Sequence, residues 1–204
     1  MNYLMFNGVK YMLTAEEKNN ASHVSNNEIA LCDIMEAETC KIGEREYIVC
    51  EHTSEGTVLL MKDLLYESEM FGSNNNYNGS NIDELCEKFA EELANVVGKE
   101  NIVMHTVDLT ADDGLKDYGS MERRVSIFTA NQCRKYVDIL DKYRIKKWTW
   151  TATAYSTPKH DDDTWVKCVA PSGDVYGDYF DGHCFFRGVR PFCILNSNIF
   201  VSKN

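Results

Sequence analysis

The chain has 204 residues, of which 21 are basic and 32 acidic, for a formal net charge of −11. That length fits one domain, or one domain with a small appendage, and the composition is globular rather than disordered. The acidic balance excludes a general nucleic-acid binder, which needs clustered Lys and Arg, and no run reaches the ~18–20 apolar residues of a membrane span. The charge is uneven: residues 1–120 hold 8 basic against 23 acidic residues, and residues 121–204 hold 13 against 9. This split predicts one acidic and one mildly basic surface on a single body.

In chain order, the first residues show no basic segment followed by an apolar run and a cleavage site, so no signal peptide is expected. Asn7-Gly8 separates two apolar runs, the strongest short-range hairpin signal, because a type I′ turn needs positive φ at both central residues. Tyr3 and Met5 fall on one face and Leu4 and Phe6 on the other. A lone hairpin is unstable in water, so it must dock. Tyr3, Met5, Phe6, Val9 and Tyr11 are therefore the candidate partner-binding residues. Residues 14–27 are polar and read as a linker. Residues 1–27 are thus assigned to an arm and linker, and residues 28–204 to the main domain.

Residues 46–50 and 57–61 are apolar runs about a Gly56-containing loop and predict a β-hairpin. Residues 71–80, with Asn74, Asn75, Asn76, Asn78 and Gly79, predict an irregular loop. A helix follows, with Asn81 as cap and Glu84 three residues on. Ile82, Leu85, Cys86, Phe89, Leu93 and Val96 form its apolar stripe, and Gly98 its stop. A second helix is announced by Thr129 and Gln132 in capping-box spacing, with Cys133, Tyr136, Val137 and Leu140 as its apolar face. Arg144, Lys146 and Lys147 suit its C-terminus.

From Lys147 the pattern turns to β, rich in Thr and Trp. Asp161, Asp162 and Asp163 lie in a loop. Residues 165–170 and 174–180 flank Pro171-Ser172-Gly173 as a hairpin. Residues 188–195 read as the final core strand, with Pro191 marking an edge or a bulge.

Little in the chain announces chemistry. Of eight cysteines, none in C-x-x-C spacing, most sit among apolar neighbours and read as reduced, buried thiols of a chain made in a reducing cytoplasm. The Asp runs at 108–113 and 161–163 lack the ligand pattern of a calcium loop. No cysteine or histidine carries a nucleophile signature, and there is no phosphate loop, G-x-G-x-x-G or G-x-S-x-G. No catalytic residue, metal or cofactor is predicted. The aromatics of the last third are more informative. Trp148, Trp150, Tyr155, Trp165, Tyr176, Tyr179, Phe180, Phe185 and Phe186 lie close in sequence, and half of them should pack inward. Tyr and Trp on polar loops give large contact area at low entropy cost. The segment from Tyr176 to His183 is the best candidate binding loop, with Tyr176, Asp178, Tyr179, Phe180, Asp181 and His183 as its ligand-facing set.

The ordered set of segments carries a resemblance. It comprises Thr57 to Met61, then Tyr77-Asn78-Gly79-Ser80 opening a helix, then Asp108 to Gly114. Arg124 to Thr129 opens a second helix, the Trp148–Trp150 segment follows, and Gly188-Val189-Arg190-Pro191 closes the set. Over residues 28–202 it resembles an uncharacterised domain family of Gram-positive gut anaerobes, their phages and prophages. Its ending is also similar to the C-type lectin-like fold of phage receptor-binding proteins. The resemblance implies an α+β, C-type lectin-like mixed domain with two main helices and antiparallel hairpins, preceded by the N-terminal hairpin arm. In that fold Gly188 and Arg190 are structural, as are Trp148, Trp150, Trp165 and Pro191 in this reading, and the 176–186 segment is displayed. The resemblance implies a non-enzymatic phage virion protein, of head or tail, made in the bacterial cytoplasm. Its partners would be other virion proteins or further copies of itself, with a host surface receptor or glycan as the alternative. Formylglycine-generating enzymes share the fold, but their paired-cysteine copper site has no match here.

Overall fold

The computed structural model describes the backbone of residues 3–6, 9–12, 28–181 and 185–203, and the side chains of residues 28–176 and 185–203. The strands and helices, in chain order, are β1 (Tyr3–Phe6), β2 (Val9–Met12), β3 (Glu28–Ala30), β4 (Thr39–Ile42), β5 (Arg45–His52), β6 (Thr57–Met61) and β7 (Tyr66–Met70). Then come α1 (Asn81–Val97), β8 (Ile102–Val103), β9 (His105–Asp108), β10 (Ser120–Arg123), β11 (Val125–Ile127), α2 (Ala130–Lys135) and α3 (Val137–Lys142). The remainder is β12 (Thr149–Ala154), β13 (Trp165–Val169), β14 (Val175–Asp181), β15 (Phe186–Val189), β16 (Pro191–Leu195) and β17 (Phe200–Lys203).

A central sheet runs β11-β16-β6-β5-β4-β17-β3, with β8 also paired to β16. A second sheet runs β14-β13-β12-β15-β7, in which β12 and β15 are parallel and the other pairs antiparallel. β9 pairs with β10, and β1 with β2 in the register Leu4 to Tyr11 and Phe6 to Val9. The expected N-terminal hairpin thus has both its strands, while its Asn7-Gly8 turn and the linker lie outside the described residues. The described chain is mixed α+β, with three α-helices and mostly antiparallel sheets.

The central sheet is covered on both faces. Tyr47, Val49, Leu59 and Met61 pack toward α1, and the alternate residues Ile48, Cys50, Val58 and Leu60 pack toward α2 and α3. A strand buried on both faces needs a continuous apolar run rather than alternation, which is what residues 57–61 supply.

The first helix is capped one residue earlier than expected. Ser80 Oγ, not Asn81, accepts from the Asp83 amide at 3.1 Å, and Asp83 Oδ2 accepts from the Gly79 amide at 3.0 Å. Ile82, Cys86, Phe89 and Leu93 are buried as expected, but Val96 is exposed in the last turn beside Gly43. Gly98, at φ +83°, ends the helix.

The single second helix is corrected to two. The Thr129–Gln132 capping box forms, but the helix breaks at Tyr136 (φ −104°, ψ 29°). Tyr136 is held from outside the helix: its hydroxyl donates to Glu51 at 2.7 Å and its ring stacks on Phe128 at 5.2 Å. The break rotates the stripe, so Ile139 is buried and Val137 is exposed.

The final core strand is likewise corrected. Residues 188–195 are not one strand and not the last. β15 belongs to the second sheet and β16 to the central one, and Arg190 is the crossing point between them. Pro191 is neither on an edge nor in a bulge. It is the first residue of an interior strand, opposite Ile127, where its missing N–H costs least. Arg190 is buried; its Nε donates to the Met61 carbonyl at 2.9 Å and its Nη2 to the Lys62 carbonyl at 2.8 Å. β17 then returns between β4 and β3. Trp150 is buried with its indole N–H on the Glu69 carbonyl at 2.8 Å and its ring edge against Phe71.

The two charge segments meet in the fold. Bases from the second part of the chain pair with acids from the first: Arg123 with Asp83, Lys135 with Glu51, Lys147 with Glu67, Lys203 with Glu38, and both Arg134 and Lys167 with Asp112. Folding thus sets basic residues of the second segment beside five of the acids of the first.

Candidate functional site

The second sheet gathers the C-terminal aromatics by its register. Val175, Val169, Thr149 and Gly188 form one row across β14, β13, β12 and β15. The Gly188 amide donates to the Trp148 carbonyl at 2.8 Å, which sets residues 185–187 beside Trp148. A Cβ on Gly188 would stand 2.7 Å from Leu64 Cδ1, so glycine permits this close approach.

Beside that row the Tyr176 ring meets Trp148 edge-on, with centroids 4.9 Å apart and planes at 87°. The Arg187 guanidinium carbon lies 5.9 Å from the Trp148 ring and 5.1 Å from the Phe185 ring. Tyr176, Phe185 and Phe186 are 42%, 41% and 56% exposed. The exposed ion pair of Lys147 and Glu67 adjoins Trp148 in sequence. An open face of aromatic rings around an arginine can stack on a flat apolar or sugar surface and hydrogen-bond at its rim.

The chain matches no protein-family model, no curated protein and no solved structure. The reading of this patch therefore stands on its geometry. Of the sequence-predicted ligand set, Tyr176 lies in the patch. Asp178, Tyr179, Phe180 and Asp181 belong to the strand β14, paired to β13 with Tyr179 opposite Lys167 and Phe180 opposite Val166. The expected loop is thus corrected to an edge strand as far as Asp181, because pairing with β13 continues past the Gly173 turn. The side chains of residues 177–181, and His183 altogether, lie outside the described residues. Trp148, read from sequence as structural, is part of the patch. Arg187 was missed, although its place next to Gly188 was the available signal.

A second polar cluster lies where three loops meet. Asn75 is fully buried. Its side chain donates to the carbonyls of Ser156 and Trp165 and accepts from the Tyr118 hydroxyl at 2.6 Å, and its backbone N–H donates to the Asp163 carbonyl. Nearby, Asp113 Oδ2 accepts from Ser156 at 2.6 Å and lies 3.1 Å from His160 Nδ1. Burial pushes Asp113 up, but the bonds from Ser156, the Leu115 amide and His160 outweigh it and hold the carboxyl below its usual range. Ser156 and His160 both bond the carboxylate rather than each other, which is not the geometry of a serine activated by a base. Asp112 is held low in the same way: burial raises it and the bonds from Arg134 and Lys167 prevail. These groups fasten the 109–119 loop to β12 and β13. Among the described residues no three His, Cys, Asp or Glu side chains converge as a metal site, and no helix is long and apolar enough to cross a membrane.

Proposed function

We propose that this protein is a non-enzymatic binding and structural module, a bacteriophage virion protein of head or tail. In this reading it is made in the bacterial cytoplasm and carried on the particle. The observation that carries the binding role is the exposed Tyr176 and Phe185 pair around Arg187 and Trp148. The virion role is supported by the ordered sequence segments that end in Gly188-Val189-Arg190-Pro191. A lectin-like body is supported by the pairing of the opening strand β3 with the closing strand β17.

The virion role is tested by density-gradient fractionation of induced lysates of the source strain. The chain should band with intact particles, and its confinement to the soluble fraction overturns the role. The patch is tested with Tyr176→Ala/Phe185→Ala, both at exposed positions. Retention on particles should fall at least tenfold with an unchanged melting temperature. Full retention together with lost adhesion to host cells favours the second reading, a receptor- or glycan-binding module, which the sugar-compatible ring stacking at Tyr176 supports.

A further inference from the structure

Away from the aromatic patch, Phe200 on β17 and Val96 on α1 are 68% and 57% exposed. They border a groove of about 200 Å³ whose floor includes Ile42, Val97 and Ile199 and whose lining also carries the polar Glu28, Lys41 and Ser202. It lies at the end of the central sheet, where β3 is the outermost strand. Apolar side chains displayed together in this way mark a covered surface more often than a bare one.

The chain holds a segment that needs such a cover. β1 and β2 are four-residue strands that pair Leu4 with Tyr11 and Phe6 with Val9, and a two-stranded hairpin of that size is not stable alone in water. Residues 13–27 tether it to Glu28, and Glu28 itself lines the groove. Those fifteen residues span at most ~50 Å, so the hairpin is tied to the rim of the surface it would cover. A tether of this length holds it there at roughly millimolar effective concentration, which favours the groove of its own chain over that of a neighbour.

We propose that the β1–β2 hairpin docks into the Val96–Phe200 groove of its own chain and closes the open end of the central sheet. The docking needs no particle, so it stands or falls apart from the virion role.

Hydrogen exchange of the full chain, read by mass spectrometry at low micromolar concentration, tests it. In the wild type the amides of Tyr3–Phe6 and Val9–Met12 should exchange well below the unstructured rate. Val96→Ser/Phe200→Ser should speed them by about tenfold or more, since two apolar contacts are lost, with the body's melting temperature unchanged. If that variant melts early, Val96→Lys alone replaces it. Unstructured exchange in the wild type, or equal protection in the variant, overturns the proposal. Protection that appears only as the chain sediments as a dimer places the hairpin on a second copy and overturns the intramolecular form.

Discussion

Arg123 grips Asp83 through two parallel hydrogen bonds, Nε to Oδ1 and Nη2 to Oδ2, each 2.8 Å long. The pair ties β10 to the first turn of α1, and the Asp83 side chain is almost wholly buried. A planar fork matches a carboxylate in a way an ammonium does not. Arg123→Ala should therefore cost about 2–3 kcal/mol, and Arg123→Lys should recover less than half of it. Urea midpoints of the two variants check this. Equal stability of Lys and Arg at position 123 would contradict the geometry.

Arg190 is the second test. Burial pushes its guanidinium down to about 10, so it remains charged at neutral pH while bonding two backbone carbonyls. Arg190→Ala leaves the Met61 and Lys62 carbonyls without that donor at the crossing between sheets, and should cost about 2–5 kcal/mol. Thermal melts and soluble yield report it. A normal melting temperature would remove Arg190 from its structural role.

Stability should fall with acid in a window set by His105. Its ring packs on Phe192 at 4.6 Å, and its Nε2 lies 2.9 Å from Ser126 Oγ. Nδ1 makes no well-formed bond, and the Val103 carbonyl gives it only weak support. Burial lowers the ring to about 4 from an ordinary 6.5. The unfolded chain then binds the extra proton between those values, so stability is complete above pH 6.5 and is lost as the pH falls toward 4. The loss between pH 7 and pH 5 from this group is about 2 kcal/mol. Urea titrations at the two values measure it, and His105→Gln should flatten the slope.

The cysteines should divide sharply. Burial raises Cys40, Cys50, Cys86 and Cys133 to about 12 and pushes Cys168 and Cys193 up as well, whereas Cys32 is exposed. A thiol that stays protonated and covered is a poor nucleophile. Brief iodoacetamide treatment of the native chain should label Cys32 and spare these six buried thiols, which react only in denaturant. Peptide mapping would show the reverse if the cores were loosely packed.

How much of this was legible depends on the reach of each signal. The 46–61 hairpin, the Thr129–Gln132 box and the Gly98 stop are local, written in neighbouring residues, and they form. The shift of the cap from Asn81 to Ser80 is a one-residue matter of which side chain meets an amide. The break at Tyr136 is different, because it answers to Glu51, 85 positions away in sequence. Asn75 looked like one polar residue among several in a loop, and nothing nearby announces the carbonyls of Ser156 and Trp165 that it serves.

The same distinction governs the candidate site. Residue order alone carries the aromatic richness of the C-terminal third, the apolar character of the N-terminal hairpin and the burial of six thiols, Cys32 being exposed against expectation, because each depends on composition and short-range period. Which aromatics meet, and where the surplus of acid goes, depends on sheet order. β12 and β15 lie parallel and adjacent, with Thr149 opposite Gly188, although these residues are 39 positions apart and β13 and β14 intervene in the chain. That pairing sets Arg187 beside Trp148. The strands and ion pairs that join residues 1–120 to residues 121–204 set some bases of the second segment against acids of the first. Long-range pairing is chosen by the burial of whole faces, and no window of neighbouring residues contains that information.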